Sequence, residues 1–264
     1  MGGILHTIRT TTVSRAVILP TPRIVKSVFQ FEDPFPQFGT DTGGGTGTGG
    51  LTGTLTTSAT YAKKGTKSKL STTSNHVLLN WGAVGGIYSG STDSSIARWA
   101  AYNGFTIEGW IYITGNAASY YNILGVSSED ESQFINLSAY QNQTPTLVDS
   151  ISSSGAGFNT LGTIPLNQWV HVFLTFYNDL CWVGFNGKYE QAQTGTLKRN
   201  IQLQGFRQIN CAYLGYGLGN YSGPNPNMWC DEMFVNSFTR YISSPIASTI
   251  SGTYTIPSTT NTFW

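Results

Sequence analysis

The chain has 264 residues, of which 39% are hydrophobic and 10% are charged, and its formal net charge is +1. This composition can bury a core without metal or disulfide staples, and the balanced charge gives no footprint for nucleic acid or an anionic membrane. Gly, Ser, Thr and Asn replace the missing charges, which favours short strands and many turns over helices.

Residues 1–28 are predicted to form an extended assembly arm. They are rich in Thr and Val, contain Pro20 and Pro22, and carry more apolar residues than a typical disordered tail. We expect them to pair with a neighbouring subunit, as an extended peptide adds itself to a sheet edge, and a disordered tail is the alternative. Their longest apolar run, residues 16–19, is too short for a signal peptide or a membrane span, so neither is expected.

Residues 39–50 predict an irregular loop, because seven of these 12 residues are glycine. No Gly-Lys-Ser/Thr follows them, which excludes a phosphate-binding loop. Further along, apolar and polar residues alternate in 105–113 and in 170–176, the period of a strand with two different faces. Asn186-Gly187 predicts a tight hairpin turn between two strands.

Strands separated by turns about every ten residues predict an all-β chain with two packed antiparallel sheets. Only residues 94–102 have the pattern of a short helix. Residues 245–264, rich in Pro, Ser and Thr, are predicted to be an extended tail over the surface. The chain has three cysteines, and we expect all of them to be reduced and buried: Cys181, Cys211 and Cys230.

Six short motifs, in order, resemble those of concanavalin-A-like (laminin-G-type) domains. They are residues 64–70, 105–111, 122–125, 169–172, 185–187 and 231–235. Residues 105–111 are similar to that family's FTIEFW strand, and residues 169–172 to its W-H-H-V strand, with Val170 in place of a histidine. The resemblance covers residues 29–244 and implies an antiparallel two-sheet jelly-roll sandwich there.

Residues 238–243, Phe-Thr-Arg-Tyr-Ile-Ser, resemble the segment that follows the closing strand in phage virion proteins of this family. The resemblance implies a non-enzymatic structural component of a tailed-phage virion (head decoration, fibre or tail surface protein), assembled in the host cytoplasm. Its expected partners are other virion subunits bound through the arm, further copies in a homo-oligomer, and host-surface glycan. A free carbohydrate-binding, lectin-like module is the alternative, although such a module has no use for an apolar arm. A glycan-cleaving enzyme is the third class.

The sequence contains no recognisable catalytic constellation. Glycosidases on the resembled fold carry Glu-x-Asp-x-x-Glu along one strand, and this spacing does not occur, since residues 129–131 are three consecutive acids in a predicted turn. A Gly-x-Ser-x-Gly elbow and zinc-ligand spacings of Cys and His are also missing. His171 is expected to be a hydrogen-bonded residue of the sandwich rather than a general base. No cofactor is expected, and a structural calcium ion has no assigned site, its nearest candidates being Asp33, Asp93 and Asp231.

Carbohydrate binding needs exposed aromatic faces with amide and backbone groups beside them to meet the sugar hydroxyls. Residues 213–229 supply both elements. The predicted sugar-binding residues are Tyr216, Asn220, Tyr221, Asn225, Asn227 and Trp229. The alternative is that these aromatic side chains cover the sandwich or contact a neighbouring subunit.

Overall fold

The computed structural model describes residues 25–29, 38–41, 46–48, 50–53, 57–71, 77–80, 105–115, 121–128, 134–139, 143–149, 156–158, 160–177, 180–192, 206–213, 227–236, 239–243 and 250–257. Regular structure in these ranges is β-strand throughout, which confirms the all-β prediction. Among these residues there is no helix of the length and apolarity that a membrane crossing requires.

The described strands, in chain order, are β1 (Val25–Phe29), β2 (Phe38–Asp41), β3 (Thr46–Thr48), β4 (Gly50–Gly53), β5 (Thr57–Ser58), β6 (Ser68–Ser71), β7 (Val77–Asn80), β8 (Phe105–Thr114), β9 (Tyr121–Ser128), β10 (Phe134–Ala139), β11 (Pro145–Asp149), β12 (Ala156–Gly157), β13 (Trp169–Tyr177), β14 (Leu180–Phe185), β15 (Lys188–Gln191), β16 (Phe206–Tyr213), β17 (Asn227–Asn236) and β18 (Ser251–Thr253).

These strands form two antiparallel sheets. The larger sheet runs β18-β15-β14-β13-β8-β17-β1-β2-β3, with β6 paired to β17 and β5 paired to β6. The smaller sheet runs β12-β11-β10-β9-β16-β7-β4. Strands β8 and β13 of the larger sheet both contact β9 of the smaller one. The described chain is therefore a two-sheet sandwich, as the sequence predicted.

Strands β8 and β13 lie at the centre of the larger sheet and follow the predicted alternation. Their inward side chains are branched aliphatic residues that are at most 2% exposed: Ile107, Ile111, Ile113, Val170, Val172 and Leu174. Burial of such side chains stabilises a fold by roughly 1.5–3 kcal/mol each. Cys181 and Cys230 are also buried, as expected, whereas the side chain of Cys211 lies outside the described residues.

The predicted hairpin joins β14 to β15. Asn186 and Gly187 have φ angles of 50° and 83°, so both central residues are left-handed, as a two-residue turn of the I′ type requires. On the strand before the turn, Gly184 leaves room for the ring of Phe173, because a Cβ at this glycine would overlap that ring. The hairpin therefore depends on glycine at two positions for two different reasons.

The N-terminal boundary of the predicted sandwich needs correction. Strand β1 starts at Val25, inside the predicted arm of residues 1–28, and pairs with β17 so that Ser27 lies opposite Val235. Residues 1–24 lie outside the described part of the chain, as do residues 94–102, the predicted helix. Strands β2 and β3 also place regular structure in the stretch predicted to be an irregular loop.

The C-terminal boundary needs a similar correction. Strand β18 pairs with β15, with Gly252 opposite Tyr189, so part of the predicted tail of residues 245–264 belongs to the larger sheet. The Tyr254 backbone N–H donates a hydrogen bond to the Gly187 carbonyl at 2.9 Å. Residues 250–257 are therefore an integral edge of the sandwich rather than a segment that merely covers it.

Candidate functional site

The outward face of the larger sheet is built from cross-strand rows on β13, β8 and β17. The first row holds Trp169, Tyr112 and Trp229, and the second holds His171, Trp110 and Asp231. The third row holds Phe173, Glu108 and Phe234. Successive rows are about 7 Å apart, because neighbouring side chains on one face of a strand are two residues apart.

The first row and Tyr61, which lies over it, form what we call the aromatic cluster: Tyr61, Tyr112, Trp169 and Trp229. Tyr61 stacks on Tyr112 with ring centroids 4.2 Å apart and meets Trp229 edge-on at 4.6 Å. Trp169 contacts Tyr112 edge-on at 5.6 Å. Tyr61, Tyr112 and Trp169 are partly exposed, so this cluster presents aromatic surface to solvent.

Two of the predicted sugar-binding residues lie at this cluster, Trp229 within it and Asn227 two residues away on β17. Asn227 opens β17 and is exposed, but Trp229 is only 6% exposed beneath Tyr61. This corrects the prediction for Trp229, because a ring covered in this way offers little surface for stacking on a sugar. The remaining predicted residues lie outside the described part of the chain: Tyr216, Asn220, Tyr221 and Asn225.

Exposed amide residues lie next to the first row along β13 and β17. Asn227, two residues before Trp229, is exposed, and its backbone carbonyl accepts a hydrogen bond from the Thr114 hydroxyl at 3.3 Å. The Asn167 backbone N–H donates to the Ile113 carbonyl at 2.8 Å and holds the exposed Asn167 and Gln168 side chains at the start of β13. The arrangement combines aromatic faces with amides, which is the chemistry that the hydroxyls and C–H faces of a sugar require.

A basic turn, residues 61–67, lies against the second row. The Asp231 carboxylate holds this turn by accepting hydrogen bonds from the backbone N–H groups of Lys63 at 2.8 Å and Lys64 at 3.1 Å. Its other oxygen accepts the Glu232 N–H at 2.8 Å. The Lys63 ammonium lies 3.8 Å from the centroid of the Trp110 ring, a cation–π contact.

Asp231 precedes a bulge where two residues of β17, one of them Glu232 with a φ angle of 51°, oppose one residue of β8. Burial raises the pKa of Asp231 to about 7, although the three backbone hydrogen bonds oppose this shift. Both carboxylate oxygens already accept N–H groups, so this calcium candidate has the contacts of a structural carboxylate. The other two candidates, Asp33 and Asp93, lie outside the described residues.

The second concentration of ionisable groups is the Glu108 network, made of Glu108, His171, Arg240, Tyr241 and Tyr254. The Glu108 carboxylate accepts hydrogen bonds from the Arg240 guanidinium and the Tyr241 hydroxyl, and its Oε2 lies 3.3 Å from Nε2 of His171. The His171 Nδ1 lies 3.1 Å from the Tyr254 hydroxyl. His171 is thus a hydrogen-bonded residue of the sandwich, as the sequence predicted.

Burial makes the Glu108 network a structural unit. Glu108 is 1% exposed and His171 is 2% exposed, so a substrate has no direct access to either. Desolvation favours a higher pKa for Glu108, but His171, Arg240 and Tyr241 outweigh it and hold the pKa below its ordinary value of 4.5. Burial raises the pKa values of the Tyr241 and Tyr254 hydroxyls, so neither is poised to ionise. The network joins the C-terminal segments to β8 and β13.

Sequence reasoning could locate part of this site. The alternation on β8 and β13 puts Tyr112 and Trp169 on one face, because both follow the period of a strand. Nothing local places Tyr61 over Tyr112, since that contact depends on a turn held from another strand. The same holds for Arg240 and Tyr241, which reach Glu108 from the far end of the chain.

Comparison with known proteins gives a fold but no family. No protein-family model and no curated protein matches the chain. Among solved structures, Trypanosoma rangeli sialidase in complex with sialic acid is similar at 12% identity, with a TM-score of 0.52 over 80% of this chain and 30% of that chain. The binding domain of botulinum neurotoxin serotype D/C VPI 5993 is similar at 15% identity, with a TM-score of 0.51 over 80% of this chain and 48% of that chain.

A third neighbour is domain 4 of AbnA, an extracellular GH43 arabinanase from Geobacillus stearothermophilus, in complex with arabinotriose. It is 16% identical, with a TM-score of 0.49 over 80% of this chain and 91% of that domain. The chain spans only 27% of the length of another sialidase structure that it matches. At these identities the likeness concerns the fold alone, and the chain has the β-sandwich fold found in part of the sialidase and of the toxin domain.

Proposed function

We propose that this protein is a non-enzymatic structural component of a tailed-phage virion and that it binds glycan through the aromatic cluster. The observation that carries the glycan-binding part is the row of Trp169 and Tyr112 with Tyr61 stacked on it. These rings remain partly exposed, and exposed amide residues lie close to the row along the chain, Gln168 before Trp169 and Asn227 before Trp229. Aromatic rings of this kind stack on the C–H faces of sugars while neighbouring amides bind the hydroxyls.

The ligand of one structural neighbour fits this proposal. The Trypanosoma rangeli sialidase was solved with sialic acid. That sugar belongs to that protein. The proposal for this chain stands on its own aromatic cluster.

The described carboxylates support a non-enzymatic role. Cleavage of a glycosidic bond uses two carboxyl groups that face each other across the sugar. Glu108 and Asp231 are at most 1% exposed and are held by hydrogen bonds. Glu190 is 4% exposed and accepts two hydrogen bonds from Thr160, at 2.7 and 2.6 Å. These groups stabilise the sandwich, and we assign none of them to catalysis.

The virion part of the proposal rests on the sequence. Residues 238–243 resemble the segment after the closing strand of phage virion proteins, and Arg240 and Tyr241 within it bind Glu108. Residues 1–24, ahead of β1, are the segment that we propose to pair with other virion subunits in a homo-oligomeric assembly. A free lectin-like module, the alternative, would bind glycan through the same surface but would have no use for this arm.

A glycan array tests the sugar-binding part. We expect wild-type protein to bind and Trp169→Ala to lose binding, because the substitution removes a ring from the first row. Tyr177→Ala is the matched control, since Tyr177 is a half-buried aromatic residue on the same face of β13 at the other end of the strand. Loss of binding in both variants, or in neither, would contradict the proposal. Product released in a reducing-end assay on any array hit would overturn the non-enzymatic assignment.

Deletion of residues 1–24 tests the virion part. We expect the shortened chain to remain folded, because β1 is intact, and to be missing from purified particles when produced in infected cells. Circular dichroism checks the fold, and mass spectrometry of the particles checks incorporation. Unchanged incorporation would show that the arm has no role in assembly, and absence of the full-length chain from particles would contradict the virion assignment.

A further inference from the structure

We propose that the ligand of the aromatic cluster is an acidic saccharide, whose carboxylate or sulfate is bound by Lys63 and Lys64 of the basic turn. This inference rests on the proposed glycan-binding function and adds the chemical class of the ligand. It identifies two residues that would determine specificity, while the aromatic rings supply a surface common to acidic and neutral sugars.

The position of the basic turn is the first observation. Lys63 covers Trp110 in the second row, and Tyr61 of the same turn stacks on Tyr112 in the first row. Because Trp110 and Tyr112 are two residues apart on one face of β8, their side chains are about 7 Å apart. A saccharide lying on the first row therefore has the Lys63 side chain directly beside it.

The charge of the turn is the second observation. The turn reads Tyr-Ala-Lys-Lys-Gly-Thr-Lys and holds three lysines and no acidic residue, while Lys69 beyond it is buried in β6. The turn contacts Asp231 through the backbone N–H groups of Lys63 and Lys64. Asp231 itself is fully buried beneath the turn, so the charged side chains that the turn brings to this face are all cationic.

The Lys64 ammonium is the third observation. It is buried and has no hydrogen-bond partner among the described residues, although Lys64 as a whole is half-buried. Removing an ammonium from water without a partner is unfavourable, and an anionic group that accepts its hydrogen bonds would offset that cost. An ammonium binds carboxylate and sulfate oxygens through charge-assisted hydrogen bonds, which are stronger than those between neutral groups.

The test uses an array of neutral, carboxylated and sulfated glycans with matched cores, including lactose and 3′-sialyllactose, followed by calorimetry on the hits. We expect binding to acidic members, and a loss of affinity of at least about tenfold in the Lys63→Gln, Lys64→Gln double variant. Binding should also weaken as salt rises from about 0.05 M to about 0.5 M. Whether carboxylated or sulfated members bind identifies the anionic group.

Two further variants separate charge from folding. Lys188→Gln changes an exposed lysine in the β14–β15 hairpin and should bind as wild type does. The Lys63→Arg, Lys64→Arg double variant keeps both charges and should retain most of the affinity. Hits on neutral glycans that persist in the double Gln variant would overturn this inference and leave the proposed glycan binding intact. An array without hits would overturn both.

Discussion

Replacing Glu108 with Gln is the sharpest test of the buried Glu108 network. The carboxylate interacts with His171, Arg240 and Tyr241, and it also accepts a hydrogen bond from the Asn236 amide at 3.2 Å. The substitution keeps the size of the side chain but removes its negative charge, so the Arg240 guanidinium, which is 11% exposed, loses its counter-charge. Removing one partner of a buried ion pair costs about 3–5 kcal/mol. For a chain of this length we expect the thermal midpoint to fall by roughly 10 °C.

The pH dependence of this effect follows from the direction of the pKa shift. The pKa of Glu108 is lower in the folded chain than its ordinary value of 4.5, so the ionised carboxylate stabilises the fold above about that pH. As the pH falls below 4.5 through the folded pKa, the group takes up a proton and this contribution is lost. The stability difference between wild type and Glu108→Gln should therefore be largest near neutral pH and shrink in acid.

Urea denaturation followed by circular dichroism measures these differences. A double-mutant cycle with Arg240→Gln should give a coupling energy of about 1–3 kcal/mol, because the double variant leaves neither charge without its partner. Lys188→Gln, on an exposed side chain, is the control and should change the free energy of unfolding by less than about 0.5 kcal/mol. If the losses of unfolding free energy in the two single variants sum to the loss in the double variant within about 0.5 kcal/mol, the two side chains act independently and the proposed ion pair is refuted.

Three further predictions concern stability. Trp182→Ala should lower the free energy of unfolding by about 3–5 kcal/mol, because Trp182 is 0% exposed. Trp169→Ala should lower it by only about 1–2 kcal/mol, because Trp169 is partly exposed. Equal thermal midpoints of the two variants would contradict this order. Burial raises the pKa of Asp231 from 3.8 to about 7, so the protonated carboxyl is the form that the fold favours. Its contribution to stability is complete below pH 3.8 and is lost as the pH rises through 7. Wild type should therefore lose stability over that range in urea titrations, and an equal loss in Asp231→Asn would contradict the assignment. Tyr254→Phe removes the hydroxyl that contacts His171 and should cost about 1 kcal/mol by the same measurement.

The central strands and one turn were predictable from the sequence because their signals are local. Alternation in β8 and β13 separates the inward aliphatic residues from the outward row residues, and Asn186-Gly187 forms the predicted hairpin. Strand β18 gave no comparable signal, because Ser251–Thr253 contains no apolar residue and its place is set by pairing with β15. The tail prediction was therefore too simple.

The candidate site was only partly predictable because its key contacts are long-range. Trp229 belongs to the aromatic cluster and Asn227 lies two residues from it on β17, but the burial of Trp229 depends on Tyr61, which lies on a turn held by Asp231. A pattern along one strand shows which face a ring occupies. It cannot show which distant segment covers that face.

The coverage of the outward face explains why ligand binding is expected at one end of it. Arg240 and Tyr241 cover the third row, where Glu108 is 1% exposed and Phe173 is 0% exposed. The basic turn covers the second row, where Trp110 is 7% exposed. In the first row Tyr112 and Trp169 stay partly exposed beside the start of the turn. Among the described rows, a ligand approaching this face therefore meets aromatic surface at the first row, with Lys63 beside it. Substitutions at Trp169 and Lys63 should for this reason alter binding, whereas substitutions in the Glu108 network should alter stability.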